Sequence, residues 1–192
     1  MPAPRKRVLR ALLLLLSVVF ALSACKRDAS ESAPAAAPAA KPAAMTDRDE
    51  HSYAEPDKVV IDDLALDLAL DFDAKTLSGT ATYALQWKDA GATQLVLDTR
   101  DLAIERVDAE VDGAWQPLQF ALDPADAALG SRLAIEAPQQ PAKVRVTYRT
   151  SPGASGLQWL TPEMTEGGQL PFMFSQSQQI HARSWVPLQD TP

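Results

Sequence analysis

The stretch VVIDDLALDLALDFD, residues 59–73, constrains this chain more than any other. Leu64, Leu66, Leu68, Leu70 and Phe72 fall on one side of a period of two, and Asp63, Asp67, Asp71 and Asp73 on the other. That period describes a strand with one buried face, because successive side chains of an extended chain point to opposite sides of a sheet. Leucine and alanine favour helix by propensity, yet a helix would spread these leucines around its girth. The residues DAKTLSGTATYALQW that follow supply a turn near Asp73 to Lys75 and a second strand over 77–87, so the two pair as a hairpin.

Further short strands come at regular spacing: TQLVLDT, LAIERVDAEVD, AWQPLQFALD, SRLAIEA and AKVRVTYRT. Between them stand the turn signals KDAGA, DGA, DPADAALG and PQQP, with Asp112-Gly113 as a tight hairpin turn. About seven strands in this pattern predict an all-β sandwich or saddle. Its inward residues are Leu95 and Leu97, Ile104, Leu118 and Phe120, Leu133 and Ile135, and Val144, Val146 and Tyr148. They suffice for one modest core.

After Thr150 the alternation stops, and Pro and Gly become frequent. This part reads as ordered loop with short strands or turns, the kind of segment that tends to carry function. The chain has only two histidines, His51 and His181, and no His-Glu-x-x-His motif, Cys cluster or Gly-rich phosphate loop. It therefore lacks a zinc site of the usual ligand count. A triad of Ser175 or Ser177 with His181 and Asp190 has only nearness in sequence to support it, which is not how triads form. His181 reads as a structural histidine, and Arg183 and Asp190 could pair with each other or with a neighbouring segment. Gln176, Gln178 and Gln179 stand beside Phe172, Phe174 and Trp185. Several neutral amides next to aromatic rings suit either a surface that holds a peptide by hydrogen bonds or a polar edge strand.

The first 24 residues read as an export signal. Arg5, Lys6, Arg7 and Arg10 precede the apolar run ALLLLLSVVFAL, which is shorter than the roughly 20 residues of a membrane span. Cys25, the only cysteine, closes the sequence LSAC. This stretch resembles the lipobox of bacterial lipoproteins, which implies lipid on Cys25 as a membrane anchor. Lys26 stands where those lipoproteins carry an Asp for inner-membrane retention, so the resemblance implies the outer membrane, facing the periplasm. Residues 25–50 are rich in Ala, Pro and Ser, too poor in large apolar groups to fold, and read as a tether broken by Pro34, Pro38 and Pro42. The chain has 18 basic and 25 acidic residues; losing the four basic residues of the signal leaves 14 against 25, a net of about −11. That balance opposes binding to nucleic acid.

GLQWLTPEMTEGGQLPFMFSQSQQIHARSWVPLQDTP, residues 156–192, resembles the end of the N-terminal domain of leukotriene A(4) hydrolase and its aminopeptidase relatives, in the zinc aminopeptidase family that includes aminopeptidase N. GLQWL, PFMFSQSQ, IHARSWVP and QDTP carry the likeness, and DFDAKTLSGTATYAL resembles that domain's first hairpin. The resemblance covers roughly residues 53–192. It implies a saddle-like β-domain of mixed strands over 51–192. It also implies a catalytic domain beyond Pro192 that holds the zinc, its His-Glu-x-x-His helix and the general base. Gln178 then helps hold the N-terminal end of a peptide substrate, Gln179 borders its first side-chain pocket, and Gln176 supports them. Relatives commonly have Ala where this chain has Gln179, which leaves the pocket size open. On this reading the chain has no catalytic residue and no metal of its own. It should not hydrolyse peptides by itself, and its C-terminal stretch should be poorly supported. The rival readings are a free-standing, lipid-anchored β-sandwich that binds peptide or another envelope protein, and a domain without a function of its own.

Overall fold

The structure is a computed structural model and describes residues 48–191. The stretches read above as an export signal, as a lipidation site at Cys25 and, but for its last three residues, as a tether lie outside the described residues.

The first hairpin forms as its alternation predicts. β1 (Val59–Asp71) and β2 (Thr76–Trp87) pair antiparallel, with Leu64 opposite Tyr83 and Leu70 opposite Leu77. Lys75 closes the turn in the left-handed region at φ 55°. Gly79 lies opposite Leu68, and a Cβ there would run into the Asp67 carbonyl, so this strand position admits only glycine. Six further strands follow: β3 (Gln94–Thr99), β4 (Ala103–Val111), β5 (Ala114–Pro117), β6 (Phe120–Leu122), β7 (Ser131–Glu136) and β8 (Lys143–Arg149). β4 and β5 turn through Asp112 at φ 50° and Gly113 at φ 77°, a tight turn of the type Asp-Gly favours.

One sheet has the order β1-β2-β8-β4-β5 and the other the order β3-β7-β6. Ala81 and Tyr83 of β2, Val107 of β4, and Val144, Val146 and Tyr148 of β8 pack with Leu95 and Leu97 of β3 and with Leu133 and Ile135 of β7. The all-β sandwich thus holds, and Leu95, Leu97, Leu133, Ile135, Val144, Val146 and Tyr148 are buried as the alternation predicts, whereas Ile104, Leu118 and Phe120 are only partly buried and Ala81, Tyr83 and Val107 join the core unannounced. Every ladder among these strands is antiparallel, where the resemblance implied mixed directions. The reason is local: β1–β2 and β4–β5 are hairpins, and β8 enters between β2 and β4 running against both.

Two expectations change. AWQPLQFALD is two strands, because β5 ends at Pro117, which has no N–H for a ladder. Leu118 donates instead to the Val107 carbonyl, and β6 joins the other sheet. The apolar side of β1 is also only half covered. Leu64 and Leu68 pack on the core, but Leu66, Leu70 and Phe72 stay 40, 47 and 37% exposed. β1 is an edge strand, and a three-stranded second sheet does not reach beneath its whole length.

Candidate functional site

The chain beyond Thr150 builds the site from a second hairpin and two short 3-10 turns. β9 (Leu157–Leu160) pairs with β10 (Phe172–Ser175), and turns at Pro162–Met164 and Ala182–Ser184 follow each strand. Leu77, Ala154 and Leu157 form a small core under this hairpin, joined by Leu68, Trp159, Met173 and Trp185. The outward face carries Leu160, Phe172 and Phe174 beside a groove of about 500 Å3, with Phe172 54% exposed.

Gln176, Gln178 and Gln179 all lie on the exposed segment that leaves β10. The backbone of this segment is held from below. Gln176 donates its N–H to the Gly156 carbonyl at 2.9 Å, and the Gln176 Oε1 accepts the Gln178 N–H at 3.1 Å. His181 donates its N–H to the Ser177 carbonyl at 3.0 Å, and Trp185 Nε1 donates to Ser177 Oγ at 3.0 Å. The side-chain amides of Gln178 and Gln179 have no hydrogen-bond partner among the described residues, so both are free to engage a ligand. The peptide bond between them is cis, and Ile180 follows at φ 55°, a conformation that β-branched residues rarely adopt.

Gly156 is the close-approach point beneath the loop. A Cβ there would stand 2.6 Å from the His181 carbonyl and 2.8 Å from Trp185 Cδ1. Its N–H reaches Ser184 Oγ at 2.8 Å, and Ser184 in turn donates to the His181 carbonyl at 2.7 Å. His181 has the structural role its sequence setting suggests, with Nδ1 at 2.8 Å from Ser155 Oγ.

The sequence left Arg183 with a simple choice of partners, but the structure makes it the centre of a clamp. Arg183 is fully buried. It donates to Asp190 Oδ2 at 2.9 Å, to the Leu129 carbonyl at 2.9 Å and to the His51 carbonyl at 2.8 Å. Asp98 is equally buried, with Oδ1 3.7 Å from Arg183 Nη1. Asp98 also accepts hydrogen bonds from Ser52 Oγ at 2.5 Å, Tyr53 N at 2.7 Å and Asp190 N at 3.0 Å. Two buried charges are tolerable only when paired and hydrogen-bonded this fully.

The C-terminal stretch is therefore not uniformly loose. Residues 183, 184, 186 and 187 are buried and clamped, while 178 and 179 stand open. The triad of sequence neighbours does not assemble: Asp190 is engaged by Arg183, His181 by Ser155, and Ser177 by Trp185. Among the described residues no three His, Cys, Asp or Glu side chains gather into a metal-holding group. Sequence reasoning singled out the glutamines, which the structure leaves exposed, and passed over Ser52, Asp98 and Ser155, which no motif distinguishes from ordinary polar residues.

Residues 51–192 match the family described as the Peptidase M1 N-terminal domain. The chain is 36% identical over 149 residues to leukotriene A-4 hydrolase of Xenopus laevis, covering 75% of this chain and 24% of that protein. It is 39% identical over 128 residues to leucine aminopeptidase 2 of Yarrowia lipolytica, covering 65% of this chain and 19% of the relative. The fold superposes on yeast LTA4 hydrolase in complex with bestatin with a TM-score of 0.69 at 30% identity, over 79% of this chain and 24% of that one. The chain thus spans about a quarter or less of the length of these relatives. On its match over residues 51–192, this chain belongs to the Peptidase M1 N-terminal domain family.

Proposed function

We propose that this chain is the N-terminal domain of a zinc aminopeptidase that removes N-terminal residues from peptides, and that it supplies part of the substrate site. The observation that carries this reading is the pair of unengaged amides of Gln178 and Gln179, raised on a loop that a buried clamp holds from beneath. A neutral amide can donate to a peptide carbonyl and accept from a terminal amine with little desolvation cost. Gln176 braces the loop through its own hydrogen bonds. Zinc finds no ligand set among the described residues, so no step of catalysis is assigned to them; their part is binding and orientation. Metal and general base would come from the part of such an enzyme that its relatives have and this chain does not span. Without that part the chain should not cleave peptides. The protein would be exported and held at the outer membrane, facing the periplasm, by lipid on Cys25.

The test begins with the coding sequence over about 1.5 kilobases past the Pro192 codon, enough for domains of usual size. We expect an in-frame catalytic domain and a gene product that binds zinc and releases leucine from leucyl-peptides. In that protein Gln178→Ala should raise KM about tenfold, the loss of roughly one good hydrogen bond, with a smaller change in kcat. A stop codon with no catalytic frame beyond it would overturn the enzyme reading and leave a tethered β-sandwich that binds.

A further inference from the structure

The clamp gathers four stretches of chain that are far apart in sequence: residues 51–53, Asp98 of β3, Leu129, and residues 183–190. Arg183 lies five positions after Gln178, and between them the His181 N–H donates to the Ser177 carbonyl while the Ala182 carbonyl accepts from the Trp185 and Val186 N–H groups. Arg183 offers its own carbonyl to the Arg100 N–H at 2.7 Å. Its neighbour Ser184 bridges Gly156 and the His181 carbonyl, and Trp185 holds Ser177. The loop of glutamines therefore cannot shift without moving a turn whose side chain is fixed in four directions.

We propose that Arg183 is the positioning residue of the Gln178 loop, and that residues 51–53, where the tether enters the domain, form a strap that completes its clamp. The guanidinium is suited to this task because its planar fork can serve carbonyls and carboxylates from separate segments at once, whereas a lysine presents its donors from one point. The strap contributes the His51 carbonyl to Arg183, and the Ser52 hydroxyl and Tyr53 N–H to Asp98. With the strap gone, Asp98 loses two of its three hydrogen bonds and Arg183 one of its acceptors, and the turn beneath the loop loosens. That the loosened loop is one that meets a peptide rests on the function proposed above.

The test is hydrogen exchange followed by mass spectrometry on the full gene product, in Ser52→Ala and Arg183→Lys. Ser52→Ala removes one hydroxyl and buries no new charge, so it is the variant that keeps the fold. Both changes should speed exchange of the hydrogen-bonded amides of Gln176, Gln178 and His181 roughly tenfold, while β2 and β8 exchange as in the parent protein. Val107→Ala in the core should spare those three amides. In an active peptidase, Ser52→Ala should also raise KM and leave kcat in place. If neither variant changes exchange of the three amides, or if it rises equally with that of β2 and β8, Arg183 does not position the loop. A response of those amides in a gene product without peptidase activity would leave the positioning intact and remove the enzyme.

Discussion

Two tyrosines one strand apart show how a single hydroxyl depends on what it meets. Tyr83 and Tyr148 are both fully buried in the sandwich core. Tyr83 donates to the Pro187 carbonyl at 2.6 Å and so ties the core to the C-terminal segment. The Tyr148 hydroxyl has no partner among the described residues. Burial pushes both phenols above their ordinary range, for Tyr83 with a smaller contribution from Tyr148 beside it. Tyr83→Phe should cost about 1–2 kcal/mol in urea denaturation, since it strands a buried carbonyl. Tyr148→Phe should leave stability within about 0.5 kcal/mol or raise it, because the hydroxyl it removes was desolvated without return. Asp126 makes a different kind of statement. The Leu129 N–H, and then the Ala128 N–H, hold its carboxyl below the ordinary value of 3.8. A depressed carboxylate stabilises the fold fully above the unfolded value and ceases to do so as pH falls through the folded one. The Leu129 amide resonance should accordingly titrate with a midpoint below 3.8, and a midpoint at or above that value would contradict the bonds to Asp126.

At the scale of elements, the end of β1 and the second hairpin support each other. Phe72, just past β1, meets Trp159 of β9 edge to face, with ring centroids 5.4 Å apart. Leu68 of β1 also packs into the small core beneath the hairpin. A double-mutant cycle on Phe72→Leu and Trp159→Leu should give a coupling of about 0.5–1.5 kcal/mol, and an additive result would show that the hairpin stands without β1. The alternation of residues 64–72 made the strand legible, because a period of two has no other reading in a chain that folds. It did not tell which of its leucines are covered. That depends on the width of the opposite sheet, and no residue in β1 encodes it. The break at Pro117 was legible in principle, since a residue without an N–H ends a ladder; the alternating pattern around it concealed that two sheets share the run.

For the whole molecule, stability resides in the layer between the two sheets. Leu133→Ala, at a fully buried position of β7, should cost about 2–5 kcal/mol of unfolding free energy. Leu170→Ser, at a position 74% exposed on the second hairpin, should stay within about 0.5 kcal/mol. Equal losses in denaturation would contradict the placement of the core. By itself the sequence determined the class of fold, the first hairpin and most of the inward side chains. These follow from periodicity, turn chemistry and local resemblance, all written in neighbouring residues. Only the tertiary structure decided that Asp98, Arg183 and the strap at residues 51–53 form one buried clamp. Burial and charge pairing between segments forty-five or more residues apart depend on where the chain returns in space, and a short polar residue looks the same in sequence whether it returns to solvent or to a partner.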